Sequence, residues 1–269
     1  MTTEEVKKTS ATVPVAETKA NSEDFFADFD FGGVEINLEQ MLKAGVHFGH
    51  QKSRKNPKME EYIFTTRKGI NILNLEKTAQ KLEEALEFLK EVRRAGKKVL
   101  LVGTKKQIQE LVKSLAKATD MSNVSERWLG GTFTNFKIIK GRTTYLRDSQ
   151  DKMEKGEFKR YTKFEQLKKS EELADLERRM GGIKYMTELP GAVVVCDLLT
   201  DELAVKEARH KNIPIVAIAD TNTDPTQVDY PIPGNDDAVS SVRLILSYIG
   251  KALLEQPAPK VAEAEPVKK

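Results

Sequence analysis

The chain of 269 residues has one cysteine, one tryptophan and no long apolar run. Cys196 cannot form an internal disulfide, and its apolar surroundings predict a small buried side chain without thiol chemistry. No run approaches the roughly 20 apolar residues of a membrane span, and the first residues resemble neither a signal peptide nor a transit peptide. We therefore expect a cytoplasmic protein with no membrane partner.

The familiar phosphate-binding and catalytic patterns are also missing. Neither Gly-x-x-x-x-Gly-Lys-Ser/Thr nor Gly-x-Gly-x-x-Gly occurs in the sequence. No Ser-His-Asp or Cys-His order with a recognisable nucleophile elbow is present. We therefore expect neither a cofactor nor enzymatic activity.

Acidic residues are unevenly distributed. The net charge is +3, but residues 1–35 hold three lysines and eight acidic residues, whereas residues 36–254 hold 38 basic and 30 acidic ones. A body of about +8 suits a polyanion, most simply a nucleic acid, although a soluble surface of mixed charge would give the same balance.

The two ends differ from the body in composition. Residues 1–35 are predicted to be a flexible acidic arm, and residues 255–269 a disordered tail. The arm contains Phe25, Phe26, Phe29 and Phe31, and four apolar rings are costly to leave in water. This segment is therefore predicted to dock on a protein partner or to fold back on the body, with a local cluster of no function as the alternative.

The body, residues 36–136 and 183–254, alternates between strand and helix patterns. Asn37 and Gly45 bracket a short helix, and residues 62–73 read as two short strands broken at Arg67-Lys68-Gly69. Continuous apolar strands are predicted at 98–103, 192–196 and 213–219, and amphipathic helices at 75–95, after Ile108, at 201–210 and at 238–254. This order predicts an α/β fold, a Rossmann-like parallel sheet with helices on both faces.

Residues 137–182 interrupt the alternation. They are rich in charge, and their sparse apolar residues lie at helical spacing on either side of Gly156. The pattern predicts an inserted antiparallel hairpin of two helices, a coiled coil that protrudes from the body. Arms of about 18 residues would be about 27 Å long, a reach suited to a large partner.

Residues 126–136 are predicted to form a contact loop. Arg127, Thr134 and Asn135 can bond to phosphates or bases, Trp128 can stack, and two glycines allow close approach of a backbone. The alternative is a turn whose tryptophan fills the core, as most tryptophans do.

A second candidate for RNA contact is the basic segment of residues 43–58, which contains no acidic residue. Basic side chains with interleaved small and aromatic residues suit folded RNA. Its candidate contacts are Lys43, His47, His50, Lys52, Arg54, Lys55 and Lys58. The two histidines could instead hold a metal ion with Asp197 and Asp220, or serve a structural role, and the sequence leaves these alternatives open.

A third candidate is the turn with Lys105 and Lys106, which lies between a strand and a helix start. Helix N-termini favour phosphate there, although a solvated helix start is an equal alternative. Asp197, Asp220 and Asp224 follow strands, where Rossmann-like enzymes or nucleotide-sugar binders place acidic groups. Asp and Asn are equally typical of turns and caps, and we favour turns for these segments, with the enzyme as the alternative function.

Together these segments resemble the bacterial small-subunit ribosomal protein S-two family over about residues 36–254. The resemblance is carried, in order, by residues 41–50, 56–59, 72–78, 102–105, 127–131, 181–183, 189–190, 206–208, 213–214, 220–222 and 232–237.

The resemblance implies a structural constituent of the small ribosomal subunit that binds its ribosomal RNA. It also implies neighbouring small-subunit proteins as partners, among them the large protein that captures messenger RNA, and no free homo-oligomer. The arm of residues 1–35 is longer than the family's usual start. Removing residues 1–33 is accordingly expected to weaken one protein contact and leave RNA affinity intact.

Overall fold

The computed structural model describes Phe25, Phe26, Phe29 and residues 31–254, apart from the side chain of Lys159. Most of the predicted flexible arm and all of the predicted tail at 255–269 lie outside the described residues. The domain boundaries therefore stay predictions.

The described residues form seven α-helices and eight strands, joined in places by short 3-10 helices. The helices are α1 (Leu38–Ala44), α2 (Leu75–Arg94), α3 (Gln109–Thr119), α4 (Phe136–Glu154), α5 (Lys163–Met180), α6 (Glu202–His210) and α7 (Val239–Leu254). The strands are β1 (Phe48–Gln51), β2 (Ile63–Arg67), β3 (Ile70–Leu73), β4 (Val99–Val102), β5 (Ser122–Val124), β6 (Ala192–Val195), β7 (Ile215–Ala219) and β8 (Tyr230–Pro233).

Five strands form a parallel sheet in the order β5-β4-β6-β7-β8. Successive residues of β4 face opposite sides, so Leu101 joins a core cluster with α2, α3 and α7, and Leu100 joins another with α6. Helices thus cover both faces of the sheet, and the predicted Rossmann-like α/β fold is confirmed.

A small antiparallel sheet in the order β1-β3-β2 accompanies the parallel sheet. The predicted break at residues 67–69 coincides with the end of β2 at Arg67 and the turn of Lys68 and Gly69 before β3. Gly49 brings β1 against the parallel sheet, because a Cβ at this position would overlap the side chain of Thr221. Among the described residues, no helix combines the length and apolar character that crossing a membrane requires.

Helices α4 and α5 occupy the predicted insertion. Gln150 donates a hydrogen bond of 2.7 Å to Glu177 across the pair, and Leu146 and Leu173 are buried. The side chain of Thr162 caps α5 in a capping box with Glu165. Coiled-coil packing and protrusion from the body stay predictions.

The phenylalanines of the arm fold back on the body. Phe26 is 1% exposed and belongs to the main core cluster, while the backbone N–H of Phe26 donates to Ser114 Oγ at 2.9 Å. Phe29 meets the ring of Phe26 edge-on at 5.4 Å, and Gly250 in α7 leaves the space that Phe31 fills. These rings therefore fold back on the body, which was one of the two predicted arrangements. Contact of the arm with a protein partner stays a prediction.

Candidate nucleic-acid interface

The basic segment after β1 lies beside the turn between β2 and β3. The backbone N–H of Lys52 donates to the carbonyl of Gly69 at 2.8 Å, which holds the two together. Lys52, Arg54, Arg67 and Lys68 are all exposed. We call these four residues the basic loop surface, and its members Arg67 and Lys68 were not among the predicted contacts.

Three other predicted lysines surround this segment. Lys43 is exposed in the last turn of α1. Lys58 Nζ lies 2.7 Å from Asp224 Oδ2, and Lys55 pairs with Glu60. Burial of Asp224 opposes the shift, but hydrogen bonds from Lys58 and Thr226 lower the pKa of Asp224 to about 2.

The two predicted histidines have different surroundings. His47 is half-buried with its ring centroid 4.0 Å from that of Phe48, and burial lowers the pKa of His47. His50 Nδ1 lies 3.1 Å from Asp220 Oδ2, and this contact with the Asp220 carboxylate is the main cause that raises the pKa of His50. In the part of the chain that the structure describes, no three His, Cys, Asp or Glu side chains are grouped to hold a metal ion.

Lys105 is enclosed by carboxylates at the carboxyl ends of the parallel strands. Its Nζ lies 3.2 Å from Asp197, 3.3 Å from Asp236 and 2.7 Å from Asp237. Burial opposes the shift, but these carboxylates raise the pKa of Lys105. Asp237 also lies 3.3 Å from His50 Nε2, so His50 and Lys105, two of the predicted RNA contacts, belong to one connected network. We call the three carboxylates with Lys105 the Lys105 cluster.

This network has more carboxylates than cations. Burial first, and then the neighbouring Asp197 and Asp220, raise the pKa of Asp236 to about 7. The neighbouring Lys106 is exposed and free of this crowding. The geometry gives Lys105 an internal role and leaves Lys106 at the surface, and RNA contact by either lysine stays a prediction.

The predicted contact loop is organised around Glu207 of α6. Oε1 of Glu207 accepts from Trp128 Nε1 at 3.2 Å and from the backbone N–H of Gly131 at 2.7 Å. Oε2 accepts from the backbone N–H groups of Phe133 at 2.9 Å and Thr134 at 3.1 Å. One buried carboxylate therefore fixes the path of the loop.

Trp128 fills the core, as the alternative to the contact loop predicted. Its side chain is 6% exposed and meets the ring of Phe133 at a centroid distance of 4.9 Å. Arg127, Thr134 and Asn135 remain exposed on the same loop. Trp128 is thus a buried anchor, and the hydroxyl of Thr134 also donates to Glu207 Oε2 at 3.2 Å, whereas Arg127 and Asn135 are surface side chains. Base stacking on Trp128 stays a prediction.

Replacing Glu207 by Gln is expected to cost about 2 to 3 kcal/mol of unfolding free energy, because buried backbone donors lose a charged acceptor. Burial opposes the shift, but hydrogen bonds from the backbone lower the pKa of Glu207 below its ordinary 4.5. The stability that the ionised Glu207 contributes is therefore present above pH 4.5 and is lost as the pH falls through the lowered pKa. Urea unfolding at pH 7 measures the loss. Glu202→Gln, at an exposed position on α6, is the control, and equal losses in both variants would contradict this role.

The acidic residues at the strand ends are bonded within the protein. Asp197 accepts from the backbone of Leu199 and Thr200, and Asp224 accepts from the backbone of Thr226. Asn235 accepts from Asp237 and Ala238 just before α7. These contacts are the predicted turn chemistry.

Sequence comparison places the chain among known proteins. Residues 41–256 match the family described as Ribosomal protein S2. Two relatives named "Small ribosomal subunit protein uS2" come from Dehalococcoides mccartyi, strains BAV1 and CBDB1. Each is 46% identical over 230 residues, which cover 85% of this chain and 94% of the relative. The chain therefore belongs to the ribosomal protein S2 family.

Proposed function

We infer that this protein is a structural constituent of the small ribosomal subunit, without catalytic activity of its own. Family membership over most of the chain and the name of its relatives support this function. The protein works in the cytoplasm, in the ribosome, where it associates with small-subunit ribosomal RNA. The alternative of an enzyme at the acidic strand ends has no support from the relatives.

The basic loop surface is the part of the chain that we assign to ribosomal RNA. The observation that carries the assignment is the hydrogen bond from Lys52 to Gly69, since it brings four exposed cations from two segments to one place. Exposed Arg and Lys neutralise phosphates and release counterions, which supplies most of the affinity for RNA.

The remaining predicted contacts fall into two groups. Exposed side chains that reach RNA directly in this proposal are Lys43, Lys58, Lys106, Arg127, Thr134 and Asn135. Lys55, His47, His50, Lys105 and Trp128 are half-buried or buried, so they hold the loops that carry the exposed groups. The surface is thus a set of basic loops on a rigid sheet.

Neighbouring small-subunit proteins are the further partners that we propose, including the large protein that captures messenger RNA. The hairpin offers exposed apolar side chains for such a contact, with Phe164 and Leu167 on α5. We propose no free homo-oligomer, because each of these surfaces is assigned to the ribosome.

The combined variant Arg54→Ala, Arg67→Ala and Lys68→Ala is expected to bind small-subunit RNA with a weaker salt dependence. Each lost phosphate contact reduces the log–log slope by about 0.7 to 0.9, so the slope of the triple variant should be smaller by about 2 to 3. Filter binding at salt concentrations from roughly 50 to 300 mM measures this slope.

The control for this variant removes three exposed cations near the end of α6, at Lys206, Arg209 and Lys211. It matches the change in net charge and leaves the basic loop surface intact. An unchanged slope in the loop variant, or an equal reduction in both variants, would remove the loop from the RNA interface.

Sedimentation tests the function itself. In a sucrose gradient of cell lysate, the full chain is expected to travel with the small ribosomal subunit. A chain that stays at the top of the gradient, with no preference for the ribosome, would overturn the proposed function.

A further inference from the structure

A second basic surface lies at the opposite edge of the parallel sheet. The basic loop surface and the Lys105 cluster are associated with the carboxyl ends of the strands, whereas a groove of about 920 Å³ opens where β4 and β6 begin. The groove is bounded by the residues before β4, the first turns of α4 and residues 185–191. None of its side chains was among the predicted contacts.

Four lysines line this groove, and Glu188 is the single acidic side chain in its lining. Lys97 and Lys98 precede β4, while Lys137 and Lys140 are three residues apart on α4 and so lie on one side of that helix. All four are exposed. Lysines from two separate elements therefore line one open groove, together with apolar side chains.

The ammonium groups are not locked in strong internal pairs. Lys98 Nζ lies 3.3 Å from Asp120, whose side chain is 96% exposed, and such a surface pair contributes little stability. Lys140 Nζ donates to the carbonyl of Thr187 at 2.9 Å, which ties α4 to the groove wall without neutralising its charge. In the Lys105 cluster three carboxylates contact one ammonium group, whereas Asp120, the partner of Lys98 in the groove, is itself almost fully exposed.

An exposed aromatic ring stands in the same wall. Tyr185 is 69% exposed, and the flanking Met186 is buried and anchors the segment. Lys184 Nζ lies 5.4 Å from the centroid of the Tyr185 ring. An exposed ring that lines the same groove as several lysines can stack an unpaired base while the phosphates contact the lysines.

We propose that this groove binds a single-stranded segment of RNA, with one unpaired base on Tyr185 and the backbone along the four lysines. The proposal rests on the proposed function and adds a second contact to it. Single-stranded RNA fits better than a duplex, because a base must be unstacked to lie on the ring. It also fits better than a mononucleotide, because the lysines come in two pairs from separate elements, one pair before β4 and the other on α4.

The test uses the full chain and a labelled single-stranded RNA oligomer of about eight nucleotides, within the usual range of such sites. Tyr185→Ala is expected to weaken binding by about 10-fold, and Tyr185→Phe to retain it, because the ring face provides the contact. Lys137→Glu with Lys140→Glu should weaken binding further and reduce the log–log salt slope by about 1.4, for two lost phosphate contacts on a single strand. Circular dichroism checks that each variant is folded.

The matched control is Lys206→Glu with Lys211→Glu, which makes the same change in charge on α6 and at its C-cap. The proposal is overturned if the control weakens oligomer binding as much as the groove variant does, or if Tyr185→Ala binds like the parent chain. Complete displacement of the oligomer by an equal concentration of a mononucleotide would also overturn it, in favour of a nucleotide pocket.

A second measurement separates this proposal from the proposed function. Ultraviolet cross-linking of purified small subunits is expected to attach RNA to the peptide that contains Tyr185. If the chain sediments with the small subunit but this peptide carries no RNA, the groove proposal fails and the ribosomal function stands. If the chain does not sediment with the subunit, the proposed function fails.

Discussion

Replacing Lys105 by Ala is expected to lower the unfolding free energy by about 3 to 5 kcal/mol, because it leaves buried carboxylates without their cation. Asp197 and Asp236 are buried, and their distances to Lys105 Nζ are 3.2 and 3.3 Å. No other contact in the network compensates for the lost cation, because carboxylates already outnumber cations there. Denaturant unfolding at pH 7 measures the change.

Lys106→Ala is the control for this experiment, since Lys106 is adjacent, exposed and of the same chemical type. It should change stability by less than about 0.5 kcal/mol. Lys105→Ala combined with Asp236→Asn should recover part of the loss, because the second change removes one buried charge. Equal stability of the two single variants would show that Lys105 does not serve the buried carboxylates.

Replacing Phe26 by Ala is expected to cost about 3 to 5 kcal/mol, the usual range for a fully buried phenylalanine. The ring is 1% exposed and packs with Phe29 and Phe31 against the main core. The sequence predicts that loss of residues 1–33 weakens one protein contact and leaves RNA affinity intact, and this stays a prediction. The structure adds that the deletion also removes a core side chain.

Phe164→Ala provides the matched control for Phe26→Ala. Phe164 is 73% exposed on α5, so the same chemical change there should alter stability by less than about 0.5 kcal/mol. Thermal unfolding of both variants against the parent chain makes the comparison. A Phe26→Ala variant as stable as the control would mean that the arm does not pack on the body in solution.

The long, strongly patterned elements of the fold could be predicted from the sequence. Asn37 and Gly45 bracket α1 as expected, since Asn37 accepts from Glu39 and Gly45 has a φ of 77°. The apolar runs gave β4, β6 and β7 their correct places. Short strands were missed for local reasons: β1 contains Gly49, and β8 contains two prolines, which only an edge strand accommodates.

The candidate site was less predictable, because its contacts join distant parts of the chain. Lys105 and Asp237 are 132 residues apart, and their ion pair arises only when the strand ends meet at one edge of the sheet. Glu207 carries no local sign that it organises the loop around Trp128. The sequence predicts a break between two strands at Arg67 and Lys68. The two positive charges at this break are the signal that could have identified them as RNA contacts.

The insertion of α4 and α5 between neighbouring strands has a consequence for how the protein folds. Val99 of β4 pairs with Ala192 of β6, and about 90 residues lie between these two strands. At about 5 to 20 residues per second, β6 is synthesised about 5 to 20 s after β4, so the nascent sheet waits with an open edge. Chain closure over such a separation slows folding, and the hairpin helices have time to form before the scaffold that carries them is complete.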